Sequence, residues 1–256
     1  MAAGVYPADV AIPSLPPVRF LLRRIDGRDE AALAPSRPAM ATHLLASLLT
    51  TREGGTVEVA TLPVAVHDRL LACLYLEELG PRLSCRASCA ACAKPLLFSF
   101  ALADLLASQD EAAAAIGPLA ADGRWAGPGA RLRPPTLADG EGGAETLLAR
   151  IADQPIAPEA AAPLASFLEE ASPLLSLDID TTCLECGARQ AVWFDLARFL
   201  VQALAADRPF LIRETHLIAA RYGWSHDAIM ALPRADRRAY AALIESERSA
   251  ALRRAS

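Results

Sequence analysis

Four of the six cysteines form two C-x2-C pairs, and most of the chemistry that the sequence offers depends on this spacing. Cys89 and Cys92 form the first pair, and Cys183 and Cys186 form the second. Two thiolates in the tight turn of a β-hairpin occupy two corners of a tetrahedron, and two such turns facing each other close a four-cysteine site around Zn²⁺. Such a site has no open position, so we expect structural zinc that contributes to folding.

Cys85 allows a second interpretation of the first pair. With Cys89 and Cys92 it spells C-x3-C-x2-C, the spacing by which radical-SAM enzymes hold a four-iron cluster. That hypothesis leaves the second pair unexplained, and Ala91 stands where such enzymes usually have an aromatic residue. A redox C-x2-C is disfavoured because neither pair opens a helix after a strand. A third alternative keeps the two hairpins but has no metal.

An internal repeat links the two pairs. Residues 83–106 and 177–200 align with an offset of 94, so that Cys89 corresponds to Cys183 and Cys92 to Cys186. The flanking matches are Phe100 with Phe194, Leu102 with Leu196, Ala103 with Ala197 and Leu106 with Leu200. Cys85 aligns with Ile179, which predicts a small buried apolar residue. Both windows predict strand, C-x2-C turn, strand and helix, and the repeat therefore favours the four-cysteine zinc site.

The elements around these hairpins predict an α+β protein that is mostly helical. Its core resembles a zinc ribbon built from the two repeated hairpins, and a helical segment follows. We predict a flexible Pro-rich arm over 1–17, and an N-terminal helical part with the first cysteine turn over 18–108. An Ala/Pro/Gly-rich insertion with helices follows over 109–172, and residues 108–143 are predicted as a mobile connector with one short ordered piece, "ARLRPPT" (130–136). The second cysteine turn and the C-terminal helices occupy 173–256. Within the second part, 56–62 is predicted as a strand, and a helix from Pro63 ends at Gly80.

Composition restricts the class of function. The net charge is −5 and the pI is near 5.5, which argues against general affinity for nucleic acid or anionic membranes. We find no secretory signal and no apolar run long enough to span a membrane, so a cytoplasmic protein is expected. In that compartment paired cysteines indicate metal ligands before disulfides. No nucleotide-binding or hydrolase motif is found, so we predict no catalytic residue and no small-molecule substrate.

Three segments together resemble a known family. They are "VRFLLRRIDGRDE" (18–30), "CLECGARQAVWFDLARFL" (183–200) and "ETHLIAARYGWSHDAIMALPRADRRAYAALIE" (214–245). The last resembles the end of the baseplate assembly proteins of contractile-tailed phages and phage-derived contractile injection systems. The matching residues are His216, Tyr222-Gly223-Trp224, Ile229-Met230, Arg237-Arg238 and Tyr240.

The resemblance implies a non-catalytic protein that helps to build, or joins, the baseplate hub. Its partners would be other tail or baseplate proteins, and it would act in the bacterial cytoplasm or become part of a phage-like particle. Candidate partner contacts are Tyr222, Trp224, Arg237, Arg238 and Tyr240. The aromatic residues have a second explanation, since they can simply pin the helix junction to the core. The zinc prediction depends on the repeat and not on the resemblance, because only some members carry cysteine pairs.

A zinc-ribbon module that binds nucleic acid or the transcription machinery is the alternative function. It predicts a basic surface around the cysteine turns. The charges near them are mixed, with Arg82, Arg86, Lys94 and Arg189 against Asp178, Asp180, Glu185 and Asp195.

Overall fold

The computed structural model describes residues 4–37, 39–140 and 142–255 and mixes helices with small antiparallel sheets, which agrees with the predicted α+β class. The strands are β1 (Val5–Val10), β2 (Val18–Arg23), β3 (Leu49–Thr51), β4 (Arg82–Ser88), β5 (Pro95–Ala101), β6 (Trp125–Ala126), β7 (Arg131–Leu132), β8 (Ser176–Thr182) and β9 (Arg189–Asp195). The helices are α1 (Gly27–Ala32), α2 (Met40–Leu48), α3 (Val64–Leu79), α4 (Leu102–Ile116), α5 (Ala144–Ile151), α6 (Pro158–Ala171), α7 (Leu196–Ala206), α8 (Arg208–Tyr222), α9 (His226–Met230) and α10 (Arg234–Ala255). Over the described ranges, no helix is both long and apolar enough to cross a membrane.

The prediction of a flexible arm over 1–17 is wrong from Val5 on, since Val5–Val10 form a strand, and residues 1–3 lie outside the described residues. β1 pairs antiparallel with β2, which pairs in turn with β3. Ala8, Val10 and Ile12 alternate along the segment and are buried. Pro7 obscured this pattern, but a proline is tolerated because β1 lies at the edge of the sheet.

Helix α3 runs through the core and ends at Gly80 as predicted. Leu70, Leu71 and Leu74 are fully buried along it, and Gly80 has a positive φ of 94° that favours glycine. Pro63 precedes the first helical residue and does not itself open the helix. The strand predicted for 56–62 is wrong, because Val59–Thr61 form a 3₁₀ turn and only one isolated bridge, at Thr56, is made there.

The insertion predicted for 109–172 is part of the main core. α4 runs across its first boundary, and the β6–β7 hairpin, α5 and α6 follow. The Trp125 side chain is buried, and its indole N–H donates to the Ser14 carbonyl at 2.9 Å. Leu132, Leu148 and Leu164 belong to the same apolar cluster as α3. The ordered piece predicted at 130–136 contains β7, but the mobile connector predicted for the rest of 108–143 is incorrect for the described residues. The end of α4 and the buried Trp125 hold this part of the chain on the core.

The C-terminal helices follow the predicted signals. Gly223 has a left-handed φ of 68° and ends α8, and the Ser225 hydroxyl accepts the Ala228 N–H at 3.2 Å at the start of α9. These helices have an apolar cluster of their own, made of Leu217, Ile218, Ile229, Ala241 and Ile244. The C-terminal helical segment is thus packed as a unit beside the main core.

Candidate metal centre

Two hairpins of the same geometry carry the cysteine pairs. β4–β5 and β8–β9 have bounds that differ by 94 residues at every end, and a helix follows each hairpin at once. The pairing registers also correspond, since Cys85 lies opposite Phe98 and Ile179 lies opposite Val192. The backbone therefore places Cys89 with Cys92, and Cys183 with Cys186, in equivalent turns.

The two turns use the same backbone hydrogen bonds. The N–H groups of Cys89 and Cys183 each donate to the carbonyl five residues later, at 2.9 Å. Their carbonyls accept the N–H of Ala93 at 2.9 Å and of Gly187 at 2.8 Å. Ala93 and Gly187 occupy the same position and both have left-handed φ, at 58° and 73°. The first turn thus holds an alanine in a conformation that favours glycine.

The four sulfur atoms meet between the turns. Each Sγ of Cys89, Cys92, Cys183 and Cys186 lies within 4.8 Å of the other three. The Sγ–Sγ distance is 3.7 Å between Cys89 and Cys186 and 3.8 Å between Cys92 and Cys183. A tetrahedral zinc ion with Zn–S bonds of about 2.3 Å separates its ligands by about 3.8 Å. The thiols are free, so this spacing fits one tetrahedral ion and not a pair of disulfides.

The charges of the thiols also fit a cation. The N–H groups of Cys92 and Ala91 point at the Cys89 sulfur and lower its pKa to about 7. The N–H of Lys94 lowers the pKa of Cys92, but burial and the neighbouring thiols outweigh it and raise that pKa to about 12. Four thiolates so close together repel one another, and a bound cation removes that repulsion.

Cys85 and Cys73 lie outside this group. Burial raises the pKa of both thiols, so each favours the neutral form, which is a poor metal ligand. Both pack against the main apolar cluster, as the alignment of Cys85 with Ile179 predicts. The four clustered thiols are also too close together to surround a cluster of four irons and four sulfides. The geometry therefore does not support the C-x3-C-x2-C hypothesis.

Side chains from both hairpins support the site. Gln190, on β9, accepts the Ala90 N–H of the other turn at 2.9 Å. Lys94 and Glu185 form an exposed ion pair between the tips at 3.1 Å. Beneath the sulfurs, Leu96 is buried with Cys89 and Cys183 in a cluster separate from the main core. The turns are therefore held together by more than the thiols.

The contacts between the hairpins are reciprocal. The first cysteine of each turn approaches the second cysteine of the other, as the pairs Cys89–Cys186 and Cys92–Cys183 show. The equivalent residues Phe100 and Phe194 contact each other edge to face, with ring centroids 5.4 Å apart. Reciprocal contacts and a self-contact between equivalent residues are the pattern that a two-fold axis produces. The contacts of each hairpin with the other are thus equivalent at the sulfur atoms and at the phenylalanine pair.

The predicted aromatic contact residues form one exposed group. Tyr222, Trp224 and Tyr240, which we call the aromatic cluster, have ring centroids 5.3 to 5.9 Å apart. Tyr222 and Trp224 keep 37% and 38% of their surfaces exposed. The cluster therefore joins the α8–α9 junction to α10 and also leaves aromatic surface open to solvent.

Arg237 is not available to a partner, which corrects its prediction as a contact residue. It is 1% exposed, and its Nε donates to Glu214 at 2.8 Å while its Nη2 binds Glu30. Arg238 is exposed, with 42% of its side chain accessible, and donates to Asp207 at 2.8 Å. The rest of the Arg238 side chain remains accessible to a partner, so among the predicted contact residues only Arg237 is corrected.

A buried ion network is the feature that the sequence did not reveal. Its members are Glu30, Asp207, Glu214, Arg234, Arg237 and Arg238. Three carboxylates face three guanidinium groups, so the charges balance. The signal was present in the i, i+3, i+4 spacing of the arginines on α10, which places them on one face.

The network joins two of the segments on which the family resemblance depends. Glu30 belongs to the segment 18–30, and the arginines belong to 214–245. The backbone adds to this contact, since the Arg234 N–H donates to the Ile25 carbonyl at 2.8 Å. Gly27 is required there, because an added Cβ would lie 2.9 Å from the Met230 sulfur and 3.1 Å from its Cα. Segments far apart in sequence are therefore packed as one unit.

Comparison with protein-family models, curated proteins and solved structures found no match to this chain.

Proposed function

We propose that the protein is a non-catalytic assembly factor or structural component of a phage tail or contractile injection system baseplate. The observation that carries the proposal is the packing of segment 18–30 against segment 214–245 through buried ion pairs. These are two of the segments that resemble baseplate assembly proteins. A conformation that two matching segments build together supports the resemblance more strongly than either segment does alone.

The exposed aromatic cluster supplies a surface for a partner. Aromatic residues are enriched in the fully buried centre of protein interfaces, because each one buries a large area and has few rotatable bonds. The expected partners are other tail or baseplate proteins, and the expected site of action is the bacterial cytoplasm or a phage-like particle. No nucleic acid and no small-molecule substrate is expected.

Zinc in a zinc-ribbon-like core is the second part of the proposal. Four thiolates in a tetrahedron suit Zn²⁺, and they leave no position for a substrate or a reactive water. The ion would be held by Cys89, Cys92, Cys183 and Cys186. It would tie together two hairpins whose turns lie about ninety residues apart in the chain, and in this way stabilise the fold.

Metal content and an absorbance spectrum of protein purified without oxygen test the zinc site. One zinc per chain with no visible band is the expected result. A single iron in the same four-thiolate geometry would give a coloured protein, and this would replace zinc while keeping the site. A brown protein with about four irons would contradict the proposal, since sulfur atoms within 4.8 Å of one another are too close to bind four separate irons of a cluster.

Co-purification tests the baseplate role. The chain is co-expressed with the tail and baseplate proteins of a contractile system from the same genome, and a stable complex with at least one of them is expected. Trp224→Ala, which removes part of the aromatic cluster, should weaken that complex. Phe210→Ala is the control, since Phe210 is also exposed but lies outside the cluster. A folded, metal-loaded protein that binds none of these proteins would contradict the assembly role.

A zinc-ribbon module for nucleic acid or the transcription machinery remains the alternative. One observation favours it, which is that residues 82–101 carry Arg82, Arg86 and Lys94 with no acidic residue. The acidic second hairpin beside it opposes such binding. Filter binding to DNA and RNA at increasing salt concentration tests this alternative, because contacts with phosphate weaken steeply as the salt concentration rises. Salt-sensitive affinity would support the alternative, and its absence would remove it.

A further inference from the structure

The two hairpins carry opposite charges although they share one backbone geometry. Residues 82–101 contain three basic residues and no acidic residue, a net charge of +3. Residues 176–195 contain four acidic residues and one basic residue, a net charge of −3. The acidic residues are Asp178, Asp180, Glu185 and Asp195, and the basic residue is Arg189. Two hairpins with matching strands and turns thus carry charges of opposite sign.

Most of this charge lies on the outer faces of the hairpins. Side chains alternate along each strand, so that one face packs inward and the other is exposed. The face with Arg82, Arg86 and Leu97 is called the basic face. The face with Asp178, Asp180 and Trp193 is called the acidic face. The inner faces pack together around Phe100 and Phe194, so the outer face of each hairpin is the one open to solvent.

Each outer face has an exposed apolar side chain beside its charges. Leu97 is 67% exposed and lies opposite Arg86 in the register. Trp193 is 62% exposed and lies opposite Asp178. An apolar centre with charge beside it is the composition of a protein interface. The two faces are therefore complementary both in charge and in the placement of an apolar residue.

The chain does not satisfy these charges within itself. Among the described residues, Arg86, Asp178 and Asp180 take part in no ion pair. The ion pair between the hairpins lies at the tips, where Lys94 meets Glu185. The unpaired charges of the two faces are therefore open to a partner, and the basic face of one copy can meet the acidic face of another.

We propose that the protein associates with a second copy of itself, head to tail, with the basic face of one copy on the acidic face of the next. Arg82 and Arg86 would oppose Asp178 and Asp180, while Leu97 and Trp193 cover each other. A contact between two different faces leaves one of each free, so the assembly grows into a ring or a filament. Two seven-residue strands offer a small area, so the association is weak and concentration-dependent. The inference does not depend on the baseplate role.

Sedimentation velocity over a range of protein concentrations, with zinc present, is the first test. At about 0.1 M salt the mean mass should rise with protein concentration. At about 1 M salt the association should weaken at least about tenfold, because the Debye length falls from about 10 Å to about 3 Å. A protein that stays monomeric at every concentration at low salt would overturn the proposal.

Charge reversal identifies the faces. Arg82→Glu with Arg86→Glu removes the basic face, and Asp178→Lys with Asp180→Lys removes the acidic face. Each double variant should weaken self-association at least about tenfold, because like charges then oppose each other across the contact. An equimolar mixture of the two should associate again and grow with concentration, because the intact faces pair as before and the reversed faces, glutamate against lysine, are complementary as well.

The control reverses the same number of charges outside both faces. Arg253→Glu with Arg254→Glu, on the exposed end of α10, should associate like the unmodified protein. Circular dichroism and metal content establish that each variant is folded. The proposal fails if the control loses association equally, or if the mixture of folded variants stays monomeric.

Discussion

Cys183 and Cys85 are both thiols of the hairpin pair, yet their surroundings give them different roles. The Cys183 sulfur lies among three others, whereas Cys85 packs against the apolar core. Cys183→Ser should abolish metal binding and lower the free energy of unfolding of the hairpin tips by more than about 4 kcal/mol, the range in which loss of a metal site falls, while the core keeps its own transition. Metal analysis and urea denaturation of the purified variants measure both effects.

Cys85→Ala is the matched control for that substitution. It should keep a full equivalent of metal and reduce stability by about 1 kcal/mol, because it removes one half-buried sulfur. Metal lost from Cys85→Ala and retained in Cys183→Ser would reverse the assignment and return Cys85 to the ligand set.

The residue four positions after the first cysteine is alanine in one turn and glycine in the other. Exchanging the residue type should therefore have opposite effects on stability in the two turns. Ala93 and Gly187 both have left-handed φ, which costs a residue with a Cβ about 1 kcal/mol. Ala93→Gly should therefore raise the free energy of unfolding by up to about 1 kcal/mol, and Gly187→Ala should lower it by about the same amount. Thermal and urea unfolding of the two variants with zinc bound provide the measurement. Equal signs for the two changes would disprove this account of the turns.

The ion network determines how the C-terminal helices pack on α1. Glu30 binds both Arg234 and Arg237, and all three side chains are buried. Glu30→Gln leaves two buried guanidinium groups short of one negative charge, so a loss of about 3–5 kcal/mol is expected. Equilibrium denaturation measures it, with tryptophan fluorescence reporting on Trp224 near the same helices.

Glu245→Gln is the control for this prediction. Glu245 pairs with Arg213 at 2.8 Å on the surface, where both side chains are largely exposed. Such a pair contributes about 0–1 kcal/mol, so little change is expected. Similar losses for Glu30→Gln and Glu245→Gln would mean that the network adds no more than a surface pair.

The sequence predicted the elements well where the local signals agree. Gly223, Ser225 and the cysteine turns mark boundaries that the structure shares, because caps and turns are decided by neighbouring residues. β1 and the β6–β7 hairpin were missed. Their apolar residues, such as Val10 and Trp125, are few and separated by prolines and glycines, and they are explained only by a core built from distant segments.

The candidate metal site could be predicted from the sequence only in part. Spacing and the repeat identified the four cysteines, since each pair is a local turn. Their meeting could not be derived from spacing, because about ninety residues separate the pairs and the packing of two hairpins brings them together. The ion network was hidden because charged residues are rarely fully buried unless they are paired, and the partner Glu30 lies about two hundred residues away.

At the scale of the whole molecule, the hairpins connect parts of the chain that are otherwise far apart. Their bases belong to the main core through Leu83 and Phe194, whereas Leu96 and the cysteines near the tips form a separate cluster. Two stability levels are therefore expected. The bases should unfold with the core, and the tips should depend on the metal.

Removal of the metal should accordingly open the tips without unfolding the protein. Without a cation, the thiols repel as they ionise, and the small cluster around Leu96 is too limited to hold both turns. Hydrogen exchange before and after chelation should show lost protection at Cys89, Ala93, Cys183 and Gly187, while α3 around Leu70 stays protected. Added zinc should restore the protection. Loss of protection throughout α3 would instead mean that the metal site and the core form one cooperative unit. Unchanged exchange at the turns would mean that Gln190 and the ion pair at the tips are sufficient to hold the two turns together.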